Sequence, residues 1–170
     1  MFVAVQASRA GHLDCVCLLL EARADTSQPN VFMDTALHAA SIAGHCHVIE
    51  ALVKGGGDVN AASEDGETPL HCAAYGGQAK ASRLLVALSA DVNCASVTDR
   101  DTPLHRASFI GNEEVVRALL KCGADPKAVN ADGNTPADVC DIRMHVSIAR
   151  LLRSASEEGF GPVPVSDVSL

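Results

Sequence analysis

Four short segments recur at a nearly fixed interval: Thr35-Ala36-Leu37-His38, Thr68-Pro69-Leu70-His71, Thr102-Pro103-Leu104-His105 and Thr135-Pro136-Ala137-Asp138, separated by 33, 34 and 33 residues. A period of this length marks a supersecondary unit that cannot hide its own apolar face and must stack on copies of itself. The stretch from Asp65 to Asn93 shows how one unit is built. Asp65-Gly66 signals a turn, because glycine takes the positive φ that other residues resist. Thr68-Pro69 opens a helix, the hydroxyl placed to cap orphan N–H groups and the proline preset for the first helical position. Ala73-Ala74 keeps one helix face small enough for close approach, and Gly76-Gly77 ends it. A second helix buries Ala81, Leu85 and Val86 before the unit closes at Ala90-Asp91-Val92-Asn93.

The period, the Thr-Pro-Leu-His starts and the closings at Gly57-Asp58-Val59-Asn60, Ala90-Asp91-Val92-Asn93 and Gly123-Ala124-Asp125 together resemble the ankyrin repeat, over residues 1–153. The resemblance implies an all-α solenoid of stacked helix-turn-helix units with β-turn fingers. Its units fall at roughly 1–29, 30–62, 63–96, 97–129 and 130–153, leaving 154–170 as a disordered tail rich in Ser, Glu, Gly, Pro and Val.

Several units depart from the pattern. The first begins at its inner helix, without a turn, and sets Phe2, Val3, Val5, Leu13, Cys17 and Leu18 at or near positions that an end unit would leave wet. A preceding unit, a covering partner or a tolerated apolar cap would each account for this. Met33 replaces the turn glycine of the second unit, which puts the usual turn geometry there in question. Arg100 does so in the fourth, where one inserted residue between Ala95 and Asp101 makes the finger bulge. The fifth unit has Asp138 for the histidine and Asp141 for the second alanine, reads as a polar cap, and reaches Leu151-Leu152 one residue early.

A formal net charge of −8 argues against duplex DNA, RNA or an anionic membrane as the main partner, since phosphate binding needs clustered Lys and Arg. Seven cysteines, an odd number without a Cys-x-x-Cys pair, speak against a disulfide framework and suit reduced thiols in the cytoplasm or nucleus. The longest apolar run, Val16 to Leu20, is too short to span a bilayer, and the start carries no signal-like segment.

No catalytic constellation stands out: nucleophile elbows, His-Glu-x-x-His, Walker loops and calcium loops are all missing, and no cofactor is expected. His38, His71 and His105 share one repeat position, and the resemblance implies that they bond to the backbone of the adjoining turn and brace the stack. His45-Cys46-His47 could be imagined as metal ligands, but helix neighbours one apart point different ways. The same direction argument separates Cys72 from His71 as a nucleophile pair. Asn60 and Asn93, each after Leu and Asp-Val, look like the ankyrin asparagines hydroxylated by the hydroxylase that acts on hypoxia-inducible factor. The last residues, Val168-Ser169-Leu170, are compatible with a PDZ carboxylate groove, and Gly161 to Val165 with an extended segment.

Overlaying the units gives one more column, near the end of each inner helix: Arg9, Ile42, Tyr75, Phe109 and Ile142, with Ile110 beside Phe109. In the family this position and the fingers line a concave face. Tyr75 and Phe109 stand where small or polar residues would pack equally well, and Phe32 falls on a finger; such rings are typical binding anchors. Around them the fingers supply Asp34, Glu64, Asp65, Glu67, Asp99, Asp101 and Asp132, diluted by Arg9, Arg100 and Arg106. The expectation is a non-enzymatic module holding a protein partner, one with apolar anchors and some Lys or Arg, on that face. The alternative is a regulatory or substrate-recruiting segment of a larger enzyme such as a kinase or ubiquitin ligase. Partner identity and oligomeric state do not follow from these residues.

Overall fold

The computed structural model describes residues 3–158, so Phe2, Phe160 and the segments at 161–165 and 168–170 lie outside the described residues. Ten helices run along it in five pairs, and no strand occurs among the described residues. The pairs are α1 (Val3–Ala10) with α2 (Leu13–Glu21), α3 (Ala36–Ala43) with α4 (Cys46–Lys54), α5 (Pro69–Tyr75) with α6 (Ala79–Ala87), α7 (Pro103–Ile110) with α8 (Glu113–Lys121), and α9 (Pro136–Ile142) with α10 (Val146–Glu158). The odd helices pack on one another in chain order as an inner row, and the even ones as an outer row. All but α10 have seven to nine residues, too few for a helix to persist alone in water, so each one is stabilised by its neighbours.

One continuous core joins the rows. Leu70 and Leu104 of the inner row and Leu52, Leu85, Leu119 and Leu152 of the outer row are at most 1% exposed. The last four share one repeat position, so α10 is in register and Leu152 does not come early. Its helix also runs past residue 153: Ala155 is buried on the core, and Ser156 Oγ donates to the Leu152 carbonyl. Residues 154–158, expected in the tail, are thus part of α10. Ile148, Leu152 and Ala155 continue a helical apolar stripe through serines whose composition alone reads as unstructured.

The fingers keep their geometry where the glycine is lost. Met33 takes φ 62° and Arg100 φ 56°, close to the 78° of Gly66 and Gly133, so the side chain tolerates the left-handed conformation at some cost instead of abolishing the turn. Three fingers close with a bond spanning four residues, such as Ser63 N–H to the Glu67 carbonyl at 2.9 Å. The fourth closes over five, Ser96 N–H to the Asp101 carbonyl at 2.9 Å, which is the bulge expected from the insertion. Successive fingers are tied by backbone bonds: Glu64 N–H to Phe32 O at 3.1 Å, Val97 N–H to Asp65 O at 2.8 Å with Thr98 N–H to the same oxygen at 3.4 Å, and Ala131 N–H to Asp99 O at 2.8 Å.

The histidines fasten these fingers to the inner helices. In each, Nδ1 accepts the backbone N–H of its own N-cap threonine, at 3.1 Å for His38, His71 and His105 alike. The opposite nitrogen therefore carries the proton, and Nε2–H donates to the next finger: His38 to the Glu67 carbonyl at 3.0 Å, His71 to Asp101 at 2.9 Å and His105 to Asn134 at 3.1 Å. The accepting bond at Nδ1 needs the neutral ring, so protonation breaks the pair. Burial pushes all three below the ordinary 6.5, against the pull of the carbonyls they bond, and His71 falls to about 4. A lowered histidine lets the unfolded chain bind the extra proton first, so its contribution is complete above pH 6.5 and is lost as pH falls toward the folded value. Glu67, raised mainly by its own burial, offsets part of that loss. We expect the melting temperature to fall steadily from pH 7 to pH 5, with His71 alone contributing up to about 1.4 kcal/mol per pH unit. Calorimetry on the parent and on His71→Gln checks this; the variant should show the shallower pH slope.

Candidate functional site

The inner helices present one face that the stack leaves open. Ile42 is 36% exposed, Tyr75 46%, Phe109 38%, Ile110 39% and Ile142 66%, while the alanines and serines one position before in α3, α5 and α7 are buried. The sequence fixes this alternation locally, because Ser41, Ala74 and Ser108 are small enough for the neighbouring inner helix to lie directly against them. Phe109 is not fully open: the Arg143 guanidinium lies 4.2 Å from its ring centre and covers one face. On the finger side Val31, Phe32 and Met33 are exposed together, Phe32 at 64%, so the second finger carries an apolar tip.

The acids are divided, and this was not read from sequence. Arg106, on α7, meets Glu67 Oε1 at 2.6 Å, Asp99 Oδ2 at 2.9 Å and Asp101 Oδ2 at 3.2 Å. Asp101 is buried and takes a further bond from Asn130 Nδ2 at 2.9 Å. These three carboxylates thus belong to a cluster that clamps the third and fourth fingers to α7, instead of lining an open acidic rim. Burial outweighs the attraction of Arg106 at Glu67 and shifts that carboxyl upward. At Asp99 burial pushes up, but Ser96 Oγ, the Asp101 N–H and Arg106 together hold the carboxyl below its ordinary value. The signal was present: Arg106 is the one charged member of the column Gln6, Ala39, Cys72, Arg106 and Val139, one turn before the exposed stripe. Glu64, Asp65, Arg100 and Asp132 remain exposed, and Asp34 is half-buried, accepting from Asn30 Nδ2 at 3.2 Å.

Between α1, α3 and α5 the same face holds a small cavity of about 50 Å³ lined by Arg9, Asp34, His38, Ala39, Ile42 and Cys72. Burial, with Glu67 and Asp34 adding to it, pushes the Cys72 thiol up to about 12, so it is protonated and a poor nucleophile. All seven cysteines are unpaired. Among the described residues no three His, Cys, Asp or Glu side chains come together to hold a metal ion. His45 Nε2 instead bonds to the Arg9 carbonyl at 3.1 Å, while His47 is exposed. Asn60 and Asn93 are exposed, yet each bridges two units: Oδ1 accepts the N–H of Asp91 or Asp125, at 2.9 and 2.8 Å, and Nδ2 donates to Ser89 or Gly123.

Comparison with protein families now bears directly on this architecture. A model of ankyrin repeats in three copies matches residues 2–96, and a single ankyrin repeat matches residues 99–131. The chain belongs to the ankyrin-repeat family. A search of curated proteins finds no significant match to it. Ankyrin repeats generally serve protein–protein interaction, and the family is typically non-catalytic. The fifth ankyrin unit lies beyond the matched spans but repeats the helix pair in register. No helix among the described residues is long and apolar enough to cross a membrane.

The Arg106 cluster gives a direct test. Arg106→Ala leaves three carboxylates facing one another and should destabilise the ankyrin stack by about 2 kcal/mol in urea unfolding. Adding Glu67→Gln to that variant should recover part of the loss.

Proposed function

We propose that this ankyrin-repeat chain is a non-enzymatic module that holds a protein partner on the face formed by its inner helices and fingers. The observation that carries the reading is the open apolar stripe of Ile42, Tyr75, Phe109 and Ile110, together with the exposed ring of Phe32 on the second finger. Rings left half in water and surrounded by small buried residues are more valuable to a partner than to the stack itself. Because Arg106 neutralises much of Glu67, Asp99 and Asp101, the charge offered to the partner comes from Glu64, Asp65 and Asp34, with Arg100 of opposite sign among them. The partner segment that fits has apolar side chains at helical or extended spacing and a Lys or Arg placed for the second and third fingers. A cytoplasmic or nuclear setting agrees with seven free thiols.

Affinity capture followed by titration with the recovered partner tests this. Tyr75→Ala with Phe109→Ala should weaken binding by about 30-fold or more, as expected for loss of about 2 kcal/mol of anchor contacts, with less than about 1 kcal/mol lost from folding. Lys80→Ala on the outer helix α6 should change neither. Retention of the partner by the double variant at parental affinity would remove the inner face from consideration.

A further inference from the structure

The surface of the first unit that points away from the rest of the stack has a register of its own, independent of the inner-face reading. Val3 is 62% exposed, whereas Ala36, Pro69, Pro103 and Pro136 at the same repeat position are buried. Cys15 is exposed, whereas Val48, Ala81, Val115 and Ile148 at its position are between 0% and 3% exposed. Leu19 is half-buried, whereas Leu52, Leu85, Leu119 and Leu152 are fully buried. In every later unit these positions are covered by the helix pair before it. Here Val3 and Cys15 border an open recess of about 490 Å³, lined also by Gln6, Ala7, Ala10 and His12.

His12 shows what belongs there. Its equivalents are His45, Gln78, Asn112 and His145, and each lies over the glycine that ends the inner helix of the preceding unit. A Cβ added at Gly11, Gly44, Gly77 or Gly111 would come closer than 3.0 Å to that incoming side chain. His45 and Asn112 also bond back to the carbonyls of Arg9 and Gly77, at 3.1 and 3.4 Å. His12 has the same place in its unit, is exposed, and has no glycine beneath it among the described residues. The opposite end of the stack differs. Met144 occupies the glycine column at φ 64°, 83% exposed, so its side chain fills the space that an incoming His, Gln or Asn requires.

We infer that the open face of α1 and α2 is a docking surface for one further helix pair of the ankyrin type, whose inner helix ends in glycine beneath His12. The occupant follows from continuity with the four interfaces inside the chain, where the same repeat positions meet and a His, Gln or Asn side chain lies over a glycine each time. Met144 excludes the far end of a second copy from that place, because a methionine stands where the occupant must have glycine.

The test joins a copy of residues 34–66 directly ahead of Met1, which places Met1 where Glu67 follows Gly66 and preserves the period. In-register stacking should raise the melting temperature by about 5 °C or more, as a new repeat interface adds to the sum along the stack. It should also slow alkylation of Cys15, read by peptide mass spectrometry, at least tenfold, while labelling of the half-buried Cys122 is unchanged. Gly44→Val in the added copy alone should abolish both effects. An added copy that leaves the melting temperature and the Cys15 rate at parental values overturns the inference. So does a parent chain that sediments as a dimer and is split by Val3→Asp, since the face would then serve a second copy.

Discussion

The stack depends on an imidazole held between two units. A helix of eight residues gains too little from its own hydrogen bonds to persist, and the finger that follows it has no core of its own. His38, His71 and His105 couple these two weak elements: one nitrogen completes the cap of the helix, and the other seizes the finger of the next unit. The geometry demands a side chain with an acceptor and a donor on opposite edges, which only a neutral imidazole supplies at this size. The fifth unit makes the converse point. Asp138 Oδ2 accepts from the Thr135 N–H at 2.9 Å and so completes the cap, but a carboxylate offers no donor for a further finger. The fifth unit thus keeps the cap without the donor.

Once the fingers are fastened, their conformation is imposed from outside. Met33 and Arg100 adopt the left-handed backbone that glycine would take freely, because the closing bonds at Asp34 and Asp101 hold each finger shut, helped at Met33 by Asn30 Oδ1, which accepts the Asp34 N–H, and at Arg100 by the bond from His71. The inserted residue in the fourth finger is absorbed as a bulge for the same reason. Arg106 then adds a charged clamp to that longer finger, binding Asp99 and Asp101 within it and Glu67 in the finger before. An irregular finger and a unique arginine in the facing helix occur together, and the second compensates the first.

The helix pairs, their order and the bracing role of the histidines were legible because they depend on residues that recur at one period. What escaped was particular to one unit. Serines at 154 and 156 hid the last turns of α10, since a hydroxyl that bonds back to the carbonyl four residues before is indistinguishable in composition from one in a solvated tail. The early arrival of Leu151-Leu152 dissolved once Leu152 proved to be the core residue, with Leu151 only half-buried beside it. The acids of the fingers were all read as an open rim, because the pairing of Arg106 with Glu67 crosses 39 residues that only the stacked fold brings together. The exposure of Tyr75 and Phe109 agrees with their place in the column, whereas the cover that Arg143 gives Phe109 comes from the next unit and left no mark in the motif.

This division between recurring and singular residues bears on where specificity can reside. Columns that repeat the same residue, the caps, histidines and core leucines, are committed to holding the stack, and a change there alters stability wherever it occurs. Two columns that do vary are neighbours on the inner face: Gln6, Ala39, Cys72, Arg106 and Val139 in one, and Arg9, Ile42, Tyr75, Phe109 and Ile142 in the next. Arg106 is withdrawn from the free set by its ion pairs and Phe109 in part by Arg143, which leaves Ile42 and Tyr75, flanked by the cavity at Cys72 and the apolar second finger, as the least constrained apolar ground on that face. A partner held on this face would therefore meet its least constrained apolar ground in the second and third units, with Phe109 and Ile110 of the fourth continuing the same stripe.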